Sequence, residues 1–423
     1  MHSRYVGRKE FFGSLLFDRE AKDYMAFDAD ETGLFTDGAM RAPVNSLEQE
    51  RFEAFLATCI EQGAVDGAGR FLHPWKDFVT RDGILSAPLK ISLNITTGCN
   101  LRCRHCYSSA RDENRRDMSV ENACRLIDEM AMMGVQCLSV KGGEPFHHPD
   151  IMEILSYAGI RGVSVTIITN GLLIDEEKAR KLNDTSVDYL TVSIDGARAE
   201  THEHIRGKGT FPKVLESIRI LKACFNKPVF IYYTLNSMNV AELPELYALA
   251  GDLKSDRLRV RPVLPTGRAS ECGGINLNGR EYREALLQIR DLSMRHRMPV
   301  DLPHSESLDI NSNVTINPGL YSFGCVAGNS FIHMDPDGNI YPCQYLESSG
   351  FLAGNMFSQS FKEIWDDSPV FREFRSFKGN GTCLACPYFK GCRGGCRARA
   401  LYLRGDINAP EPWCLADPCN SQA

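Results

Sequence analysis

The sequence predicts an α/β protein: a partial (β/α)6 TIM-like barrel between a small N-terminal α+β segment and a cysteine-rich C-terminal region. Three observations predict it. Between residues 89 and 263, six short apolar runs of strand length alternate with stretches of helical periodicity. Three cysteines, Cys99, Cys103 and Cys106, crowd into the loop after the first run. Seven more, from Cys325 to Cys414, return after the last.

Residues 1–88 carry no metal-ligand cluster of their own. Phe11 to Phe17 and Tyr24 to Phe27 read as short strands joined by the turn-like Asp18 to Asp23. Asp30-Glu31 suits the opening of a short helix. Ser46 suits the N-cap of a clearer one, in which Leu47, Phe52, Phe55, Leu56, Cys59 and Ile60 recur at helical spacing. From Leu89 the pattern changes. The strand candidates are Ile91–Ile95, Val135–Val140, Val163–Ile168, Tyr189–Ile194, Val229–Leu235 and Leu258–Val263. One intervening helix starts at the cap Ser119 and runs through Val120, Ala123, Cys124, Ile127 and Met130 to Gly134. Such alternation makes parallel strands with both faces covered, an open version of the (β/α) barrel, and ligands bind at the C-terminal strand ends. The changes of pattern divide the chain into 1–88, 89–300 and 301–423.

The residues with chemistry fall at those strand ends. Cys99, Cys103 and Cys106 stand at C-x3-C-x2-C. Thiolates ligate iron–sulfur clusters, and three of them leave one iron of a [4Fe–4S] cube open to a substrate or cofactor. Zinc loops instead offer C-x2-C pairs that close a tetrahedron. After the second strand comes Lys141-Gly142-Gly143-Glu144-Pro145, where glycines permit close backbone approach and a carboxylate suits a cationic amino group. The fourth strand ends in Ser193-Ile194-Asp195-Gly196, a hydroxyl and a carboxylate able to meet ribose hydroxyls. Thr169-Asn170-Gly171 faces the same cavity, and Thr266-Gly267-Arg268 follows the sixth strand. His202 and His204 read as structural, Cys59, Cys124, Cys137 and Cys224 as core residues, and Cys272 has no assigned role. In the C-terminal region, Asp335-Pro336-Asp337-Gly338-Asn339 signals a hairpin turn that would put Cys343 on the returning strand. A zinc ribbon is the simple alternative there, but seven cysteines exceed one zinc.

The loop Cys99 to Tyr107 resembles the signature of the radical S-adenosylmethionine (SAM) enzymes, and the C-terminal spacings resemble their SPASM extension. The resemblance implies a SAM-binding [4Fe–4S] cluster on Cys99, Cys103 and Cys106, and SAM cleavage to a 5′-deoxyadenosyl radical. It makes Gly142, Gly143 and Glu144 the SAM-amino motif, Ser193 and Asp195 ribose contacts, and Arg206 the holder of the SAM carboxylate. It also implies two auxiliary [4Fe–4S] clusters. Cys325, Cys343 and Cys396 would hold the first; Cys383, Cys386, Cys392 and Cys414 the second, with Cys419 a substitute for Cys414. Two departures from sulfatase maturases matter. No cysteine lies between Ser312 and Gly324, which leaves the first auxiliary cluster an open iron, and Gln344 stands where those enzymes place an aspartate base. Residues 1–88 resemble the winged-helix-like peptide-recognition module fused to peptide-modifying members. The expected function is therefore modification of a ribosomally made peptide or protein, by a thioether or another crosslink, with a flavodoxin- or ferredoxin-type reductant. The alternatives are a tetrapyrrole substrate in haem synthesis, or a non-catalytic iron–sulfur electron carrier. No residue is singled out as catalytic base.

Composition fits this reading. Hydrophobic and charged fractions, 43% and 24%, are ordinary for a globular protein, and 423 residues suggest two or three domains. A net charge of −6 gives no polyanion-binding signature, so nucleic acid is not an expected partner. No apolar run reaches membrane-span length and no signal-peptide core opens the chain, so no membrane partner and a cytoplasmic location are expected. Sixteen cysteines in that setting argue for metal rather than disulfides.

Overall fold

In the computed structural model the chain is described for residues 3–29 and 75–302 with a gap at 22, and for 324–414 apart from 348, 349 and 388; between 30 and 74, residue 32 and short stretches of 53–72 are described. Ser46 with most of its helix, Asp30-Glu31, Ser312 and Cys419 lie outside these residues; positions 53, 54, 56, 57 and 59–61 are helical.

Two sheets organise the described residues. The smaller has the order β3-β2-β1-β4, from β1 (Tyr5–Glu10), β2 (Gly13–Asp18), β3 (Asp23–Asp28) and β4 (Trp75–Lys76). The expected Phe11–Phe17 strand is thus the second arm of a hairpin whose first arm, β1, has no apolar alternation to announce it. Arg8 and Glu10 of β1 are both buried and bonded to each other, Nε to Oε1 at 2.7 Å. Arg8 also donates to the carbonyls of Ala87, Pro88 and Gly134, and Glu10 accepts from Ser86. Tyr24 adds hydroxyl bonds to Leu89 and Gln136, so the small sheet is seated on the bottom of the large one.

The large sheet contains the six expected strands as β5 (Lys90–Asn94), β6 (Cys137–Lys141), β7 (Ser164–Thr169), β8 (Val187–Ser193), β9 (Val229–Leu235) and β10 (Arg257–Pro262), all parallel. Helices α1 (Val120–Met133), α2 (Ile151–Arg161), α3 (Glu176–Lys181), α4 (Ala199–Arg206), α5 (Phe211–Cys224), α6 (Leu243–Asp252) and α7 (Gly279–His296) connect and cover them. The Ser119 hydroxyl accepts from Asn122 N at the start of α1, and left-handed Gly134 ends it. The sheet continues further than expected. β11 (Val300–Asp301) pairs with β10, across the anticipated boundary at 300/301. On the other edge β12 (Phe331–Met334) pairs parallel with β5, and β13 (Asn339–Tyr341) and β14 (Gly354–Asn355) follow. The turn at Asp335–Asn339 forms as predicted, but Cys343 sits two residues past β13, opening a 3-10 turn.

Alternation separates two faces. Ile91, Leu93, Leu138, Val140, Val165, Ile167, Leu190, Val192, Ile231 and Val260 pack outward against the helices in one large core. Their neighbours point into the barrel and are mostly polar: Ser92, Asn94, Ser139, Lys141, Thr166, Tyr189, Thr191, Ser193, Tyr232, Thr234, Arg259 and Arg261. The barrel interior is therefore a chamber, not a hydrophobic core. Cys59 and Cys224 are buried as expected, whereas Cys124 and Cys137 are only half-buried.

Candidate active site

A cavity opens at the C-terminal strand ends, lined by Cys99, Cys103, Cys106, Gly142, Gly143, Ser193 and Arg206 of the predicted residues, with His105, Tyr107, Lys141, Asn170, Tyr232, Arg268, Gln344 and Tyr345. Close backbone approach builds its rim. A Cβ on Gly143 would fall 1.8 Å from the Gly98 carbonyl oxygen, and Glu144 N donates to that same oxygen. Gly267, at φ +58°, brings the loop after β10 onto Cys106 and Tyr107, where any Cβ would lie 2.3 Å from the Tyr107 carbonyl. Arg268 then ties that loop down: Nε donates to Cys103 O at 2.8 Å and a terminal nitrogen donates to Ala110 O at 2.9 Å.

Glu144 and Asp195 stand behind the wall rather than on it. The Glu144 carboxylate is buried and accepts from Thr169 Oγ1 at 2.6 Å, Asn170 N at 2.7 Å and Phe146 N at 3.1 Å. Burial raises its pKa against those hydrogen bonds. It fixes the glycine turn to the end of β7. Asp195 is fully buried, its oxygens taken by Thr234 N at 2.8 Å, His105 Nε2 at 2.6 Å and Arg206 Nε at 2.5 Å. Burial opposes its charge, but Arg206 and His105 outweigh that and hold its pKa well below the ordinary range. The expected ribose contact thus has both oxygens spent within the protein, and Asp195 acts as a positioning residue. Through it Arg206 stays charged at the cavity wall, 3.9 Å from Cys103 Sγ. His202 is structural, as expected: its Nδ1 accepts from Asp195 N, and burial lowers its pKa to about 4, keeping it neutral.

Cysteines neighbour one another in three places: the Cys99, Cys103 and Cys106 triad, Cys343 with Cys325 and Cys396, and Cys392 with Cys414. Burial pushes the Cys99 thiol up to about 12 and Cys103 to about 11, with the neighbouring thiols of the triad adding to the shift. Burial likewise raises Cys343, next to Cys325 and Cys396, and lifts Cys396 to about 12 beside Cys325. Cys392, raised to about 11 by burial, feels Cys414. Cys383 and Cys386 lie on and after the four-residue helix Gly381–Leu384. Among the described residues no three His, Cys, Asp or Glu side chains converge on one metal ion.

A polar chain that the sequence did not reveal starts beside the triad. Tyr107, following Cys106, donates to Asn94 Oδ1 at 3.0 Å, and Asn94 Nδ2 donates to Glu347 Oε2 at 3.0 Å. His333 bridges Glu347 and Ser92. The Tyr107 ring meets Tyr345 edge-on at 5.6 Å. Deeper in the chamber, Asp301 pairs with both Arg259 at 2.8 Å and Arg261 at 2.9 Å. Among the described residues Lys141 makes no direct ion pair, although Cys343 and Glu347 favour its charge. Its ammonium lies 5.6 Å from the centre of the Tyr107 ring, and burial lowers its pKa to about 7.

Comparison with known proteins agrees with this geometry. A model of the radical SAM superfamily matches residues 93–250, and one of an iron–sulfur cluster-binding domain, SPASM, matches residues 325–387. The AdoMet-dependent heme synthase of Methanosarcina barkeri is 35% identical over 347 residues, 79% of this chain and 98% of that protein. The mycofactocin maturase MftC of Mycobacterium tuberculosis is 31% identical over 332 residues, 78% of this chain and 84% of that protein. Streptococcus suis SuiB bound to its precursor peptide SuiA superposes with a TM-score of 0.76 at 18% identity, covering 97% of this chain and 98% of that one, a likeness of fold. With a three-cysteine loop at the mouth of a parallel barrel and relatives matched over most of their length, the chain belongs to the radical SAM enzymes and carries a C-terminal SPASM domain.

Proposed function

We propose that this radical SAM/SPASM enzyme takes a hydrogen atom from a tetrapyrrole held in the polar barrel chamber. The observation that carries this reading is the 35% identity to a heme synthase over 98% of that protein's length. When bound on Cys99, Cys103 and Cys106, the cluster and SAM supply a 5′-deoxyadenosyl radical as hydrogen-atom acceptor. The chain's own residues hold and aim the reactants. The backbone of Gly142 and Gly143 and the guanidinium of Arg206 meet the methionyl end of SAM, with Asp195 and Glu144 fixing both from behind. Ser193 faces the ribose. Tyr107, Tyr232 and Tyr345 supply flat apolar surface with polar edges, suited to a large conjugated ring. Cys325, Cys343 and Cys396, and Cys383, Cys386, Cys392 and Cys414, would hold two auxiliary clusters, which would supply one-electron acceptors.

A second reading, modification of a ribosomally made peptide, is favoured by the small N-terminal sheet. About a fifth of this chain lies outside the match to the heme synthase, whereas the likeness to peptide-bound SuiB extends over nearly all of it. A sheet of this kind can take an extended peptide at its edge. Anaerobic turnover decides between them. Reconstituted enzyme, SAM and a chemical reductant are incubated with a carboxylated iron porphyrin or with a candidate precursor peptide, and products are read by mass spectrometry. The tetrapyrrole reading expects 5′-deoxyadenosine formation stimulated by the porphyrin and a mass change in it. Stimulation and mass change with the peptide alone would overturn it in favour of the second.

A further inference from the structure

The chamber wall holds a buried lysine with no direct ion pair among the described residues. Lys141 ends β6 on the inward face, at the cavity wall, and its ammonium makes no hydrogen bond or ion pair with any described residue. The acidic groups nearest it, Cys343 and Glu347, favour its charge without bonding it directly: Glu347 is taken by Asn94 and His333, and the Asp301 carboxylate serves Arg259 and Arg261. A second observation lies in the same face. Thr166 and Thr191 are buried on β7 and β8, two residues before the cavity-lining Ile168 and Ser193, and neither hydroxyl oxygen has a partner. Ile168 pairs with Thr191 in register, and Lys141 lies one step beyond the Val140 and Ile167 pair, so Lys141 and Thr191 share a row across three strands. Burying an ammonium and two hydroxyls without partners is costly, and folding alone gives no return for it. A bound anion would satisfy the ammonium directly, and an oxygen acceptor would satisfy the hydroxyls.

We propose that Lys141, with Thr191 in its row and Thr166 in the row below, is the docking subsite for a carboxylate of the substrate. This deepens the reading above and rests on the chamber being the substrate's. Held there, the substrate points its anionic end down the barrel and presents a carbon further along to the cluster loop. The Tyr107 ring against Lys141 keeps the ammonium facing the chamber. Propionate side chains of a tetrapyrrole and the terminal carboxylate of a peptide share this chemistry.

Equilibrium binding to the reconstituted enzyme in the presence of SAM tests the assignment without turnover. The probes are a fluorescent free-base porphyrin tetracarboxylate and its neutral tetra-amide, and a short peptide as free acid and as C-terminal amide. Wild type should prefer one acid to its amide by roughly 10-fold or more, the loss expected when a desolvated charge pair is broken. Which pair shows the preference identifies the source. Lys141→Met should abolish it and Lys141→Arg should retain most of it, with iron content confirming that each variant is loaded. If Lys141→Met fails to load, Lys141→Gln takes its place, and the wild-type comparison needs no variant. Equal binding of acid and amide in both pairs, or an undiminished preference in Lys141→Met, overturns the subsite. A Lys141-dependent preference for the porphyrin acid without any porphyrin turnover would sink the proposed substrate and leave the subsite standing.

Discussion

Asp195 carries a negative charge where water does not reach, and three donors meet it there. An isolated carboxylate so placed would be protonated; Arg206 and His105 reverse that and keep it ionised. Its folded pKa lies below that of an unfolded aspartate, near 4. The resulting stability is therefore fully present above about pH 4 and is lost as acid approaches the folded value. Asp195→Asn should cost about 3–5 kcal/mol at neutral pH, because the Arg206 guanidinium is left buried without its carboxylate. Urea unfolding reads this directly, and the variant's curve should also be flatter with pH on the acid side. A loss below about 1 kcal/mol would mean that Arg206 finds another partner. Nothing in Ser-Ile-Asp-Gly distinguishes a ligand contact from this buried hub. A carboxylate at a strand end was legible; the direction in which its oxygens are spent was not, since Thr234, His105 and Arg206 come from three distant segments.

At the scale of elements, what the sequence revealed depended on which side of a strand met apolar surroundings. The six barrel strands were readable because their outward faces carry Ile, Leu and Val against helices. β1 was not, because Tyr5-Val6-Gly7-Arg8-Lys9-Glu10 looks charged while its Arg8 and Glu10 neutralise each other inside. That pair seats the small sheet on Ala87, Pro88 and Gly134. Burial already raises the Glu10 pKa, so losing Arg8 leaves a carboxyl with little reason to ionise and carbonyls short of donors. Arg8→Met should destabilise the protein by about 3–5 kcal/mol. Adding Glu10→Leu should recover roughly half of that, since two apolar groups leave no orphaned charge. A double variant no better than Arg8→Met, in thermal or urea unfolding, would show that the Ser86 contacts matter more than the ion pair.

For the molecule as a whole, the parallel pairing of β12 with β5 joins the barrel to the SPASM region in one sheet. Local sequence signals reached the turn before Cys343 but not this pairing, which joins residues some 240 positions apart. The junction brings Tyr107, next to Cys106, against Tyr345, two residues after Cys343, and links Tyr107 through Asn94 to Glu347 and His333. The triad and the Cys325, Cys343 and Cys396 set nonetheless have different surroundings. The triad lies against Arg206 and Arg268, while Cys325, Cys343 and Cys396 pack with Leu264, Leu346 and Phe374. Loss of one group's thiols should therefore leave the others able to load. Reconstituted protein should contain about 12 iron atoms per chain, and the Cys99→Ala, Cys103→Ala, Cys106→Ala triple variant about 8. Iron and sulfide analysis of the two, with matched circular dichroism, makes the comparison. The triple variant should form no 5′-deoxyadenosine, because the groups that face Gly142, Gly143 and Arg206 across the cavity are the missing thiols. A wild-type content near four iron atoms with bound zinc would instead return the C-terminal cysteines to a zinc ribbon. Loss of all iron in the triple variant would show that the shared sheet couples loading of the three groups.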